Sequence, residues 1–133
     1  EMKSMFVLES TYDGAGTILE VLPLTDSEAA AAGETFKFSS GKLTKAATTD
    51  KPAYIGIQKV AAGTGKTVEC VAVRPDQVWI GDYTSASTNV PAIGAKYVLD
   101  STGLKVDADT TTNGIATIIS ADTTKAKCRC KFE

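Results

Sequence analysis

Ala32-Gly33-Glu34-Thr35-Phe36-Lys37-Phe38-Ser39-Ser40-Gly41-Lys42-Leu43 decides the fold. Phe36 and Phe38 alternate with polar neighbours, which places them on one face of an extended chain. Ser40-Gly41 then supplies a tight turn, and Lys42 to Ala46 runs back. The stretch predicts a β-hairpin over 35–46. A second stretch follows about 60 residues on: Ile93-Gly94-Ala95-Lys96-Tyr97-Val98-Leu99-Asp100-Ser101-Thr102-Gly103-Leu104. Both copies read glycine, two spacers, an aromatic, an apolar residue two positions on, a serine-containing turn and glycine. Each continues through a Thr/Asp-rich loop into an apolar strand, Tyr54-Ile55-Gly56-Ile57 or Ile115-Ala116-Thr117-Ile118. Residues 32–60 and 93–120 are therefore expected to be two related units, too few for a solenoid.

Outward from the hairpins, the signals are nearly all β. Strands are expected at Met5 to Glu9, Thr17 to Leu22, Ala53 to Val60, Lys66 to Val73, Gln77 to Tyr83, Tyr97 to Asp100, Leu104 to Val106, Ile115 to Ser120 and Lys125 to Phe132. Asp13-Gly14, Gly63-Thr64-Gly65, Pro75-Asp76 and Asn113-Gly114 separate them. One short helix is predicted over 26–32. Thr25 caps it, Glu28 completes a capping box, Ala29 to Ala32 propagate it and Gly33 stops it. The expected architecture is mainly all-β, a compact barrel- or sandwich-like domain of short antiparallel strands spanning 1–133.

Composition narrows the function. The 133 residues carry a net charge of −2, 43% hydrophobic and 23% charged residues, and no histidine. That length suits one domain with a buried core. Without imidazole, Ser-His-Asp triads, Cys-His pairs and HExxH zinc chemistry are excluded. The sixteen carboxylates lie scattered through turns and pair with nothing by spacing, so no enzyme is expected. The charge balance argues against nucleic acid. No apolar run reaches 18 residues, and the N-terminal apolar stretch is too short for a signal peptide.

Motifs that hint at chemistry are incomplete. Gly63-Thr64-Gly65-Lys66-Thr67 resembles the end of a phosphate loop, but Val60 stands where its first glycine belongs, and a strand follows instead of a helix. Gly14-Ala15-Gly16 lacks the third glycine of a dinucleotide site. Asp107-Ala108-Asp109 opens like a calcium loop, yet Thr111 and Thr112 replace its next ligand and glycine. Cys70, Cys128 and Cys130 are too few for a disulfide framework or a four-ligand zinc site. They are read as buried small hydrophobes, with a disulfide or soft-metal site as the alternative. No cofactor is expected.

Surfaces are more suggestive. Lys125, Lys127, Arg129 and Lys131 form a period-two cationic stripe on the last strand. It reads either as a solvated edge guarded by lysines or as a grip for an acidic partner. Met2, Lys3, Met5 and Phe6 are either first-strand core or a docking arm over 1–9. On the arm reading, loss of 1–8 leaves the fold intact. Trp79 and Tyr83 are read as core or subunit interface, and less readily as a platform for sugar stacking.

At this point Leu43 through Trp79 resembles the core of bacteriophage head decoration (capsid cement) proteins. The resemblance rests on Lys42-Leu43, Thr48-Thr49-Asp50, Ala53-Tyr54-Ile55-Gly56-Ile57, the glycine-rich turn, Val68 to Val73 and Val78-Trp79. Ala92 to Leu99 is similar to a later hairpin of the group. The resemblance implies a β-rich, often trimeric virion protein. It would bind the major capsid protein on the capsid exterior after assembly in the host cytoplasm, and its N-terminal segment would be the binding arm. The alternative is a β-sandwich binding module of a tail or fibre that recognises carbohydrate.

Overall fold

The computed structural model describes residues 4–11 and 19–133. Among these the chain is all-β. Its eleven strands are β1 (Val7–Thr11), β2 (Leu19–Pro23), β3 (Thr35–Ser39), β4 (Lys42–Lys45), β5 (Tyr54–Gly56), β6 (Thr67–Ala72), β7 (Gln77–Thr84), β8 (Lys96–Leu99), β9 (Lys105–Asp107), β10 (Ala116–Asp122) and β11 (Lys127–Phe132). The Asp13-Gly14 turn lies outside the described residues.

The deciding hairpin forms as β3–β4. Ser40 and Gly41 have φ of 53° and 77°, the pair of positive angles that a two-residue turn of the right twist requires. Phe38 pairs with Leu43, and Ser39 with Lys42. In the second copy, Leu99 pairs with Val106 across β8–β9.

The strands make two sheets. One runs β1-β7-β11-β10-β8-β9, and parallel pairing of β7 with β9 closes its last five strands into a barrel. The other runs β2-β6-β5-β3-β4, and a parallel bridge from Leu24 to Leu43 brings its two ends together. Adding five to each strand number of the second sheet gives the barrel's order. Registers agree as well. Glu20 and Gly56 flank Cys70 as Trp79 and Ile118 flank Cys130. Tyr54 pairs with Ala72 as Ala116 pairs with Phe132. Cys70 and Cys130 thus hold equivalent positions, and Glu20 stands where the barrel has Trp79.

Packing follows from this alternation. Inside the second sheet, Leu24, Phe36, Leu43, Val68 and Cys70 form one buried cluster. The larger cluster fills the barrel and takes in Ile55 and Val71 from the second sheet and Ala46 just beyond β4, so the two units share an apolar seam. Hydrogen bonds cross the same seam: Thr35 Oγ1 donates to Gly103 O at 2.8 Å, and Leu99 N donates to Thr48 O at 2.9 Å. Trp79, 1% exposed, donates from Nε1 to the buried Gln77 at 3.3 Å. Its ring tilts against Phe132.

The predicted helix over 26–32 does not form. Its capping groups bond to β4 instead. Thr25 Oγ1 donates to Leu43 O, while Glu28 accepts from Thr44 Oγ1 and Lys45 N. Ser27 takes a positive φ of 68°, which breaks a helical path. Ala30 and Val60 exchange both backbone hydrogen bonds. The segment is a strap across the second sheet.

The first strand also departs from the arm reading. β1 pairs with β7, with Val7 opposite Ile80 and Leu8 opposite Trp79. Phe6 is 3% exposed and meets Phe132 edge-on at 5.2 Å. The Phe6 ring occupies the space left by Gly81, where any Cβ would collide with it. Phe6 is core, so it is not a free contact residue.

Candidate interaction surface

The cationic stripe lies on β11 as the alternation requires, but β11 is no edge. It sits between β7 and β10, so strand pairing needs no lysine guard there. Its charges face carboxylates. Lys127 meets Asp82 at 2.6 Å, Arg129 meets Glu9 at 2.6 Å, and Lys131 meets Glu133 at 3.6 Å. Partly exposed pairs of this kind contribute about 0–1 kcal/mol each. Lys125 falls in the turn before β11 and is exposed.

The other singled-out residues separate. Met5 is half-buried, and Met2 and Lys3 lie outside the described residues. Trp79 and Tyr97 are buried, which removes them as stacking platforms, while Tyr83 is half-buried. Thr67–Ala72 is a strand, and Gly65 N already donates to Asp26, so the phosphate-loop fragment builds no cradle. Asp107 bonds within its own turn, and Asp109 bonds to the loop over 85–89. Asp107 accepts from Asp109 N, and Asp109 accepts from Ser85, Ala86 and Asn89. These bonds, that of Ser85 first, hold the Asp109 carboxyl below its usual range.

All three cysteines are free and buried. Burial, and then the Glu20 carboxylate, pushes the Cys70 thiol up to about 11. A hydrogen bond with Cys128 and burial raise Cys130. Burial and Glu20 also raise Tyr54. A thiolate-selective disulfide reagent at pH 8 is therefore expected to leave native protein unmodified and to titrate three thiols after unfolding in guanidinium. Fast reaction of native protein would contradict this burial.

What is exposed is apolar side chain and groove. Leu19 and Val21 point outward from β2 at 59% and 62% exposure. Among the described residues no strand covers the outer edge of β2 at these positions, whereas β1 covers the equivalent edge of β7. This edge carries no lysine, and its guards against pairing are Glu20 and Pro23. Val90 and Ile93 add a second exposed apolar site on the loop before β8.

Two grooves flank the N-terminal segment. One, of about 650 Å³, runs between the units over Ala29–Ala32, Val60 and Leu104. The other, of about 640 Å³, lies beside Asp82, Tyr83 and Lys127. Ser4 and Lys105 line both. Lys45, Lys59, Lys105 and Lys125 come from four separate loops or strands, and no spacing in the sequence announces their meeting. Among the described residues no three His, Cys, Asp or Glu side chains gather as a metal site, and no helix is long and apolar enough to cross a membrane. No protein-family model matches the chain, and no curated protein matches its sequence.

Proposed function

We propose that the protein is a structural virion component of the decoration type, which binds the major capsid protein on the outside of an assembled phage head. The observation that carries this reading is Leu19 and Val21, exposed on β2 along an edge that no strand covers at these positions among the described residues. Exposed apolar side chains on a rigid β scaffold suit contact with another protein. The mechanism is mass action. A protein that binds only the assembled shell stabilises that shell against opening. A homo-oligomer, trimeric by the resemblance, adds avidity by engaging several shell subunits at once. The carbohydrate-module alternative loses Trp79 and Tyr97 as platforms, since both are buried, and is left with the half-buried Tyr83.

The test is co-sedimentation of purified protein with expanded heads, followed by heat challenge. Bound protein and a raised temperature of head opening are expected. Heads that neither retain the protein nor gain heat resistance from it would end this reading.

A further inference from the structure

Among the described residues, the grooves beside the N-terminal segment are lined by five lysines and two carboxylates. Each carboxylate is already bound: Glu34, 2% exposed, to Lys45 at 2.6 Å, and Asp82 to Lys127 at 2.6 Å. Lys59, Lys105 and Lys125 make no ion pair among the described residues. Three unbalanced cations thus border one continuous surface on a chain whose net charge is −2. The floor between them is apolar and small: alanines 29–32, Val60 and Leu104.

We infer that this surface is a docking groove for an extended acidic segment of another protein, in which carboxylates alternate with small apolar side chains. Carboxylates on one side of an extended chain meet Lys59, Lys105 and Lys125, and the small apolar residues lie on the alanine floor. Clustered charge steers such a segment to the groove, and apolar contact holds it. Nucleic acid fits less well. Among the described residues the grooves contain no arginine to fork onto phosphate, and Tyr83 is the one aromatic lining them, so successive bases have little to stack on. The inference deepens the capsid reading by naming the contact surface, and it rests on that reading only for the partner's identity.

Fluorescence anisotropy tests it with an alternating Glu-Ala octapeptide as probe, a Lys-Ala octapeptide and an oligothymidylate as controls, and the Lys59→Glu/Lys105→Glu/Lys125→Glu variant. Intact protein is expected to bind the acidic probe, at least tenfold more weakly in the triple variant and more weakly as salt rises from about 50 to 300 mM. The Lys59→Glu/Lys125→Glu variant, in which both altered lysines are exposed, provides a correctly folded comparison whose melting temperature matches the intact chain. No binding by intact protein, equal binding by the variants, or tighter binding of oligothymidylate would overturn the proposal. Co-sedimentation of the variants with heads separates the two readings. Probe binding without head binding removes the capsid reading and keeps the groove, while head binding that the variants retain keeps the capsid reading and removes the groove.

Discussion

Phe6→Ala is expected to destabilise the protein by about 3–5 kcal/mol, the usual cost of emptying a buried aromatic site. Removal of residues 1–8 is expected to cost more. The ring fills the space above Gly81 and meets Phe132 at 5.2 Å. The Phe6 N–H donates to Gly33 O at 3.1 Å, tying the segment to the second sheet. Deletion also strips the partner of Ile80 and Trp79 from the β7 edge. Domains are typically stable by only 5–15 kcal/mol, so this is a large share of the total. Thermal melting followed by circular dichroism should fall by roughly 10–20 °C for Phe6→Ala. Val7→Ala, at an exposed neighbouring position, should stay within about 0.5 kcal/mol of the intact chain. A 1–8 deletion that melts with the full chain would show that the segment is an arm and that Phe6 supports nothing.

The contrast between Phe6 and the β3 hairpin marks what the sequence makes legible. Ser40-Gly41 and the alternation of Phe36 with Phe38 are local signals, and local geometry answers them. The capping box at Thr25 and Glu28 is also local, yet both side chains found acceptors and donors on β4, 16 to 18 residues away. A helix of seven residues has too few bonds to compete with that pairing. The lysine stripe predicts a solvent-facing side of a strand, but whether that strand is an edge depends on topology that spacing does not encode. The two-unit arrangement is visible where glycines and aromatics recur in β3–β4 and β8–β9. It is hidden in the flanking strands because the interior residues differ: Glu20 for Trp79, Ala72 for Phe132, Leu22 for Gly81. The groove lysines are farther still from legibility, since the fold gathers them from distant segments.

Those interior differences make Phe132 the second site of large effect. It closes β11. Here it is 1% exposed, opposite Ala116 in β10, and Glu133 N donates to Ile115 O just beyond it. Its ring stands between Phe6, edge-on at 5.2 Å, and Trp79, tilted at 6.3 Å. Phe132→Ala is therefore expected to cost about 3–5 kcal/mol. It should also shift emission from Trp79, the lone tryptophan, to longer wavelength as water reaches the ring. Because Phe6 and Phe132 touch, their double variant should fall short of additivity by about 0.5–1.5 kcal/mol. Phe6→Ala combined with Phe38→Ala should be additive, since Phe38 packs on Tyr54 in the other unit. Additive losses for Phe6 and Phe132, with Trp79 emission unchanged, would mean that the two residues are held separately. In that case the aromatic run would not be what joins the segment around β1 to the barrel strand β11.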